Sequence, residues 1–262
     1  MKIMKTFIAT LLIGLLIISS CRKNQLRIPP IPKNDHQLID VKSPRIPPQN
    51  QYDSTGIWHN IFLDSLRGYV RAGGVNTREG RLNYLITFGR ERFSIDISRS
   101  AGAIQEEVLA DSANGFENVI LHTTYSVTAK SYFLGLIRHL KSVGYSDPFG
   151  TEDYITQFEK RTLADPNLTM QEKKSALQAA SVARYSYRYW SDYSTISGRL
   201  FGFIPDHWGP LAHVGALIGD VVAAVKGAVG GGKDVKQVAL ESAATSAEVG
   251  NAIGGFLCLG DC

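Results

Sequence analysis

Apolar positions recur along most of this chain at helical intervals. The clearest run is Thr169 to Trp190, TMQEKKSALQAASVARYSYRYW, in which Ala176, Ala180, Ala183, Tyr187 and Trp190 follow one another at alternating four- and three-residue steps. That spacing puts them on one helix face. Asp165-Pro166-Asn167 ahead of it is a turn signal. Thr169 stands three residues before Glu172, the spacing of a capping box, in which hydroxyl and carboxylate each take an orphan backbone N–H. The pattern predicts a long central helix over about 169–195. Its small face, Ala176 to Ala183, admits close approach by a partner helix, while Tyr187 and Trp190 hold one off. Tyr185, Tyr189 and Tyr193 form a second row and Arg184, Arg188 and Asp192 a third, with Arg188 and Asp192 spaced for an i,i+4 pair. Aromatics on two faces predict burial on more than one side, and core packing is preferred to a sugar- or peptide-binding groove.

The flanking segments read mostly the same way. Asp53 or Ser54 can cap a helix to about Tyr69, with Ile57, Ile61, Leu63 and Leu66 as its apolar residues. Arg78–Phe88, a segment from Ser98 or Ser100 through Ala110, Ser131–Val143 and Glu152–Leu163 are further predicted helices, and Asp147-Pro148-Phe149-Gly150 is a predicted turn. Two stretches alternate at a period of two instead, 93–97 and 119–127, and could pair as a small β-ribbon, although helix is the preferred expectation for most of this region. The fold class is therefore mainly α, a helical body over 52–198 organised on the central helix.

After Gly198 the composition changes. Gly215, Gly219, Ala223, Gly227 and Gly231 recur every four residues, then Gly230-Gly231-Gly232 breaks the run. Glycine weakens a helix by about 0.5–1 kcal/mol relative to alanine, so such a packing ridge implies close backbone approach by another helix. A second arm from Asp234 to about Phe256 carries Ala239, Ala243 and Ala247 at the same interval, then Gly250 and Gly254. Residues 199–262 thus read as a Gly/Ala-rich αα-hairpin. His213, Asp220 and Lys226 interrupt the first arm and Lys236, Glu241 and Glu248 the second. Each charge costs about 2.5–3.5 kcal/mol at a bilayer centre, which argues against simple insertion. The spacing resembles the glycine-zipper segments of some envelope lipoproteins and the glycine-rich helices of membrane-active bacteriocins. Docking on the body is the leading expectation, ahead of self-association or an envelope protein partner through 209–256, and ahead of membrane insertion.

At the other end, Lys2 and Lys5 precede an apolar run from Phe7 to Ile18, too short for a comfortable span of about 20 residues and typical of a signal peptide over 1–20. Ile18-Ser19-Ser20-Cys21 resembles the lipobox of bacterial lipoproteins. The resemblance implies that Cys21 is acylated and becomes the mature N-terminus, held at the membrane by several acyl chains. Arg22 after the cysteine, by the same resemblance, implies outer-membrane sorting in a Gram-negative envelope. The mature chain then opens on a tether, 21–51, rich in proline (Pro29, Pro30, Pro32, Pro44, Pro47, Pro48). A stretch of this composition favours an extended spacer over a PxxP docking segment.

Charge and candidate chemistry narrow the picture. Lys2 and Lys5 account for two of the formal +4. The balance left gives no case for nucleic acid. Cys258 and Cys262 are a candidate disulfide in an oxidising compartment, with free thiols or an intermolecular bond as alternatives. Asp53-x-x-Gly56-x-x-His59-Asn60-x-x-Leu63-Asp64 resembles a motif in a group of uncharacterised bacterial lipoproteins. That group combines a lipobox, a Pro-rich spacer and a G-x-x-H-N-x-x-L-D helix, with a later helix like Ala179–Trp190. The resemblance implies a location and no activity. His59, Asn60 and Asp64 are weak catalytic candidates, since a histidine beside a carboxylate can act as a base. A polar helix entry bonded to a neighbouring loop is the expectation preferred for them. His122 and His139 have no second ligand at i+3 or i+4. Asp206, His207 and His213 are poorly spaced for a metal, and no metal or cofactor is expected. The reading that emerges is a non-enzymatic, lipid-anchored envelope module. A toxin-like protein acting through the hairpin and an enzyme using His59, Asn60 and Asp64 are the alternatives.

Overall fold

The computed structural model describes residues 50–200, 210–229 and 231–254. The chain in these ranges is helical, and no strand occurs among the described residues. In order the helices are α1 (Ser54–Arg71), α2 (Arg78–Phe93), α3 (Ala101–Asp111), α4 (Glu117–Leu121), α5 (Val127–Val143), α6 (Pro148–Ala164), α7 (Met170–Leu200), α8 (Pro210–Gly227) and α9 (Val235–Gly254), with a 3₁₀ turn at Ser112–Asn114.

The central helix α7 starts where the capping box places it. Thr169 Oγ1 accepts the Glu172 N–H at 3.2 Å, and Glu172 Oε2 accepts the Thr169 N–H at 2.9 Å. The other oxygen of the same carboxylate accepts the Ser126 N–H at 2.8 Å, so one side chain ties the start of α7 to the start of α5. The face predicted on α7 is inside: Ala176, Ala180, Ala183, Tyr187 and Trp190 are all buried. Arg184 and Arg188 of the arginine row reach acids outside the helix. Arg188 pairs with Glu152 on α6, and the side chain of Asp192 lies outside the described residues.

Several starts fall earlier than the apolar periodicity suggests, because a cap decides them. Ser126 Oγ accepts the Ala129 N–H at 3.2 Å and starts α5 at Val127. Asp147 Oδ1 accepts the Gly150 N–H at 2.8 Å, and Pro148 sits in the first turn of α6, where its missing N–H costs nothing. The predicted turn at 147–150 is therefore a helix entry.

The β-ribbon at 93–97/119–127 is not formed. Phe93 ends α2, and Ser94 stops it in the left-handed conformation at φ 57°. Ile95 and Ile97 do point inward while Asp96 faces out, but their backbone serves the adjacent helices. The Ile95 N–H returns to the Gly89 carbonyl at 3.0 Å, and the Ile97 carbonyl accepts from Ser100 and Ala101. Residues 117–121 are helical, and Thr123 and Tyr125 bury their side chains in the short link to α5. Alternation here records which side faces the core, not a pairing strand.

The hairpin of α8 and α9 lies inside the bundle. It packs against α1 and α7, and α3, α2 and α5 also touch it. One hydrophobic cluster runs from Phe62 on α1 to Val249 on α9, so body and hairpin share a core. Residues 216–225 of α8 are buried on every side. The glycine ridge explains how the two arms come so close. A Cβ on Gly219 would lie 3.0 Å from both Val249 methyls, and one on Gly227 would lie 2.7 Å from Glu241 Oε2. Ala223 is fully buried, Gly215 is half-buried, and Gly231 takes φ 79° in the turn beside Gln171.

At the α1–α7 crossing the limiting residue is Gly56, where a Cβ would stand 2.4 Å from the Ser181 carbonyl oxygen. Gly56→Ala should therefore destabilise the protein by about 1–3 kcal/mol, the usual cost of overpacking. In the same helix a Cβ at Gly68 meets nothing within 4 Å, so Gly68→Ala should be neutral or stabilising by up to about 1 kcal/mol. Urea midpoints of the two variants test this, and equal midpoints would refute the close crossing. Glu172 makes a second prediction. Burial pushes its carboxyl up, but hydrogen bonds from Ser126 and Thr169 outweigh burial and hold it at about 2, against an ordinary 4.5. Its contribution is complete above pH 4.5 and fades as pH falls towards 2. Glu172→Gln should cost about 1–3 kcal/mol at neutral pH and flatten the acid limb of a pH–stability profile between those values.

Candidate functional site

The candidate residues His59 and Asn60 point into the bundle, where they meet the one acidic residue of the buried α8 segment, Asp220. His59 and Asp220 are both 0 % exposed. The amide of Asn60 is oriented by its N–H donation to the Tyr185 carbonyl at 3.2 Å, so its oxygen accepts from His59 Nδ1 at 3.0 Å. His59 Nε2 then faces Asp220 Oδ2 at 3.6 Å, a Coulombic approach longer than a hydrogen bond. That Asp220 oxygen accepts the Trp190 indole N–H at 2.9 Å and the Ser186 hydroxyl, both from α7. The Asp220 backbone carbonyl accepts the Ser242 hydroxyl of α9 at 2.8 Å. Tyr145, at the end of α5, is close enough for Asp220 to act on it: burial first and the Asp220 charge second push its phenol well above 10.

Histidine, aspartate and serine thus come together, but not as a hydrolytic triad. In a triad the serine gives its proton to the imidazole while its oxygen faces substrate. Ser186 gives its proton to the carboxylate, and Ser186, His59 and Asp220 are all fully buried. The arrangement can hold a buried negative charge by directed donors from α7, with the imidazole of α1 alongside. Asp64, the third candidate, is apart from it. It lies at the edge of α1, accepting Tyr189 OH at 3.0 Å and Arg67 at 3.3 Å.

Three further sets of charges lie inside the fold. Arg184 on α7, with a side chain 2 % exposed, reaches Asp53 at 2.6 Å and Glu159 of α6 at 2.5 Å. Asp53 also accepts Tyr185 OH at 2.7 Å. Burial raises the Asp53 carboxyl, with Tyr185 and Arg184 opposing. Arg81 on α2 grips Glu248 of α9 through both carboxylate oxygens at 2.6 and 2.5 Å, and Glu241 is bound by Lys233 at 2.8 Å and by the Ser100 hydroxyl. These pairings were not predicted from sequence. The available signal was the isolated acid in each otherwise small or apolar helix face, Asp220, Glu241 and Glu248, which reads first as an obstacle to insertion.

The remaining candidates separate. His139 stacks on Tyr154 at 3.7 Å, and burial, against Asp147, lowers its basicity. His122 is exposed. No group of acidic, histidine or cysteine side chains suited to a metal occurs among the described residues. Cys21, Asp206, His207, Cys258 and Cys262 lie outside the described residues, as does the side chain of His213.

No family model, no curated protein and no solved structure matches this chain.

Loss of the central charge should show in stability. Asp220→Ala leaves two buried donors without an acceptor and should cost about 3–5 kcal/mol, whereas Asp64→Ala, at the partly exposed edge, should cost about 1 kcal/mol or less. Chemical denaturation of both variants measures the difference. A mild effect at Asp220 would mean that its burial is not structural.

Proposed function

We propose that the chain is a lipoprotein of the bacterial envelope, anchored in the outer membrane through Cys21, whose helical body is a non-enzymatic structural or interaction module. The observation that carries this reading is how the chain enters the folded body at the end of the proline-rich tether. Asn50 is buried, and its amide donates to Glu159 Oε1 at 2.8 Å and to the Leu177 carbonyl at 2.7 Å. Three residues later Asp53 is held by Arg184. The tether is thus clamped to α6 and α7 at its junction with the body, as a segment bearing load between membrane and module needs to be.

The state of the hairpin supports a module over a membrane-active protein. Among the described residues no helix is long and apolar enough to cross a membrane. Release of α8 and α9 would strip Arg81 from Glu248 and the α7 donors from Asp220, leaving buried charges without partners. Gly219, Ala223 and Gly227 of α8 and Ala239, Ala243 and Ala247 of α9 are turned towards neighbouring helices of the same chain. In this reading an envelope partner, or a second copy, therefore meets the body on its outer surface.

The test is metabolic labelling with a clickable palmitate analogue. The wild-type chain should be labelled and lose its first twenty residues (about 2 kDa on a gel), and Cys21→Ala should be unlabelled and accumulate at precursor mass. Equal labelling of the two would overturn the anchor.

A further inference from the structure

One ring nitrogen of His59 has a settled proton, and the other faces an atom it cannot bond. Asn60 donates to the Tyr185 carbonyl at 3.2 Å, so its side-chain oxygen is the atom that meets His59 Nδ1 at 3.0 Å. An oxygen in that place accepts, and Nδ1 therefore carries a proton. In the neutral ring Nε2 is then bare and is itself an acceptor. It points at another acceptor, Asp220 Oδ2, at 3.6 Å. That oxygen already takes the Ser186 hydroxyl and the Trp190 indole N–H. Two lone pairs thus confront each other between side chains that have no exposure.

Two buried atoms are left over at this spot. His59 Nε2 and Asp220 Oδ1 have no hydrogen-bond partner among the described residues. A buried polar atom left unbonded is costly, and native interiors rarely tolerate one. The two are neighbours, because Oδ1 shares its carbon with the oxygen that Nε2 approaches. Both are acceptors, so whatever joins them must bring two protons. The donors of the surrounding helices are spent elsewhere, Ser186 and Trp190 of α7 on Oδ2, and Ser242 of α9 on the Asp220 backbone carbonyl at 2.8 Å. A metal ion would suit the carboxylate, but among the described residues no group of three acidic, histidine or cysteine side chains is placed to hold one.

We infer that a single water molecule is bound between α1 and α8 as part of the core, giving one proton to His59 Nε2 and the other to Asp220 Oδ1. Water is the smallest molecule with two protons to give, and buried waters sit where about two to four polar atoms converge. The bridge turns a repulsive contact between imidazole and carboxylate into an attractive one, at little loss against a direct hydrogen bond. The link from α1 to α8 then runs through solvent taken up during folding. Asn60 is the positioning residue of this site. By holding the proton on Nδ1 it keeps Nε2 free to accept. The site is independent of acylation at Cys21.

The experiment takes the full chain with isotope-labelled histidine and reads the ring nitrogens of His59 by two-bond proton–nitrogen correlation in neutral buffer. The His59 signals are those absent from His59→Gln. A high-resolution crystal structure of the same chain supplies the second reading. Expected are a protonated Nδ1, a bare Nε2, and one isolated density peak within about 3.2 Å of both Nε2 and Asp220 Oδ1. Asn60→Leu removes the acceptor at Nδ1. The proton should then move to Nε2, which donates directly to Asp220, and the density peak should be lost. Protons on both ring nitrogens of the wild type would make the contact a direct ion pair and overturn the inference. A proton on Nε2 alone would overturn it too, since the Asn60 amide would then be turned the other way. So would a bare Nε2 with no peak beside it. A folded Asn60→Leu that keeps the proton on Nδ1 would overturn the positioning role of Asn60. If that variant does not fold, the two readings on the wild type still decide whether the water is there.

Discussion

A carboxylate with no exposure, Asp220, stands in the middle of the fully buried segment of α8. Removing such an ion from water costs several kcal/mol unless directed donors replace the water. For Oδ2 the replacements come from Ser186 and Trp190 of α7, with His59 of α1 alongside. They face the carboxylate only when three helices far apart in sequence hold one mutual register. That requirement fixes the rotation of α8 about its axis. Once α8 is so turned, Gly219 and Gly227 must present their bare backbone to α9, and Ser242 of α9 reaches the Asp220 carbonyl. The close helix pair at the centre follows from where one charge can be held.

The outer ion pairs act in the same sense. Arg184 joins the entry of α1 to α6 and α7, Arg81 joins α2 to the later part of α9, and Lys226 joins α8 to Glu107 of α3. Buried pairs of this kind add little over well-packed apolar residues, but a wrong pairing strands a charge. Alanine- and glycine-rich faces are smooth and by themselves specify register poorly. In α8 and α9 the register is carried by Asp220, Glu241 and Glu248, each matched to donors at a particular height.

This explains what could be read in the chain and what could not. The helices were legible because they depend on local signals. The Thr169–Glu172 box, the 3.6-residue spacing through Trp190 and the glycine break at 230–232 all act within a turn or two. Boundaries were missed where a cap outranked the apolar pattern, at Ser126 and Asp147. The alternation at 93–97 and 119–127 does not make a ribbon because it reports one-sided burial, which a linker such as Ser94–Ile97 satisfies without pairing. The polar centre was only half legible. The spacing of His59, Asn60 and Asp64 marked the right stretch of α1, but periodicity does not say what lies opposite. Asp220 is 161 positions from His59 along the chain, and only tertiary packing turns His59 and Asn60 inward while leaving Asp64 at the edge with Tyr189 and Arg67.

Such a division of labour bears on what this body is built to do. Its histidine, serine and aspartate are committed to each other in the interior, so the fold invests its polar chemistry in holding helices together. The chain enters through Asn50, bonded to α6 and α7, and the box at Glu172 ties α7 to α5 close by. A pull on the tether would therefore be shared at once by three helices and, through Arg184 and Asp53, by the start of α1. Fixing the attachment point also fixes the attitude of the body, because a clamped exit cannot swivel as a free linker does. On the proposed reading, a rigid helical body with a fixed point of attachment presents the same outer surface on every copy. That is the physical requirement for the structural or interaction module proposed above.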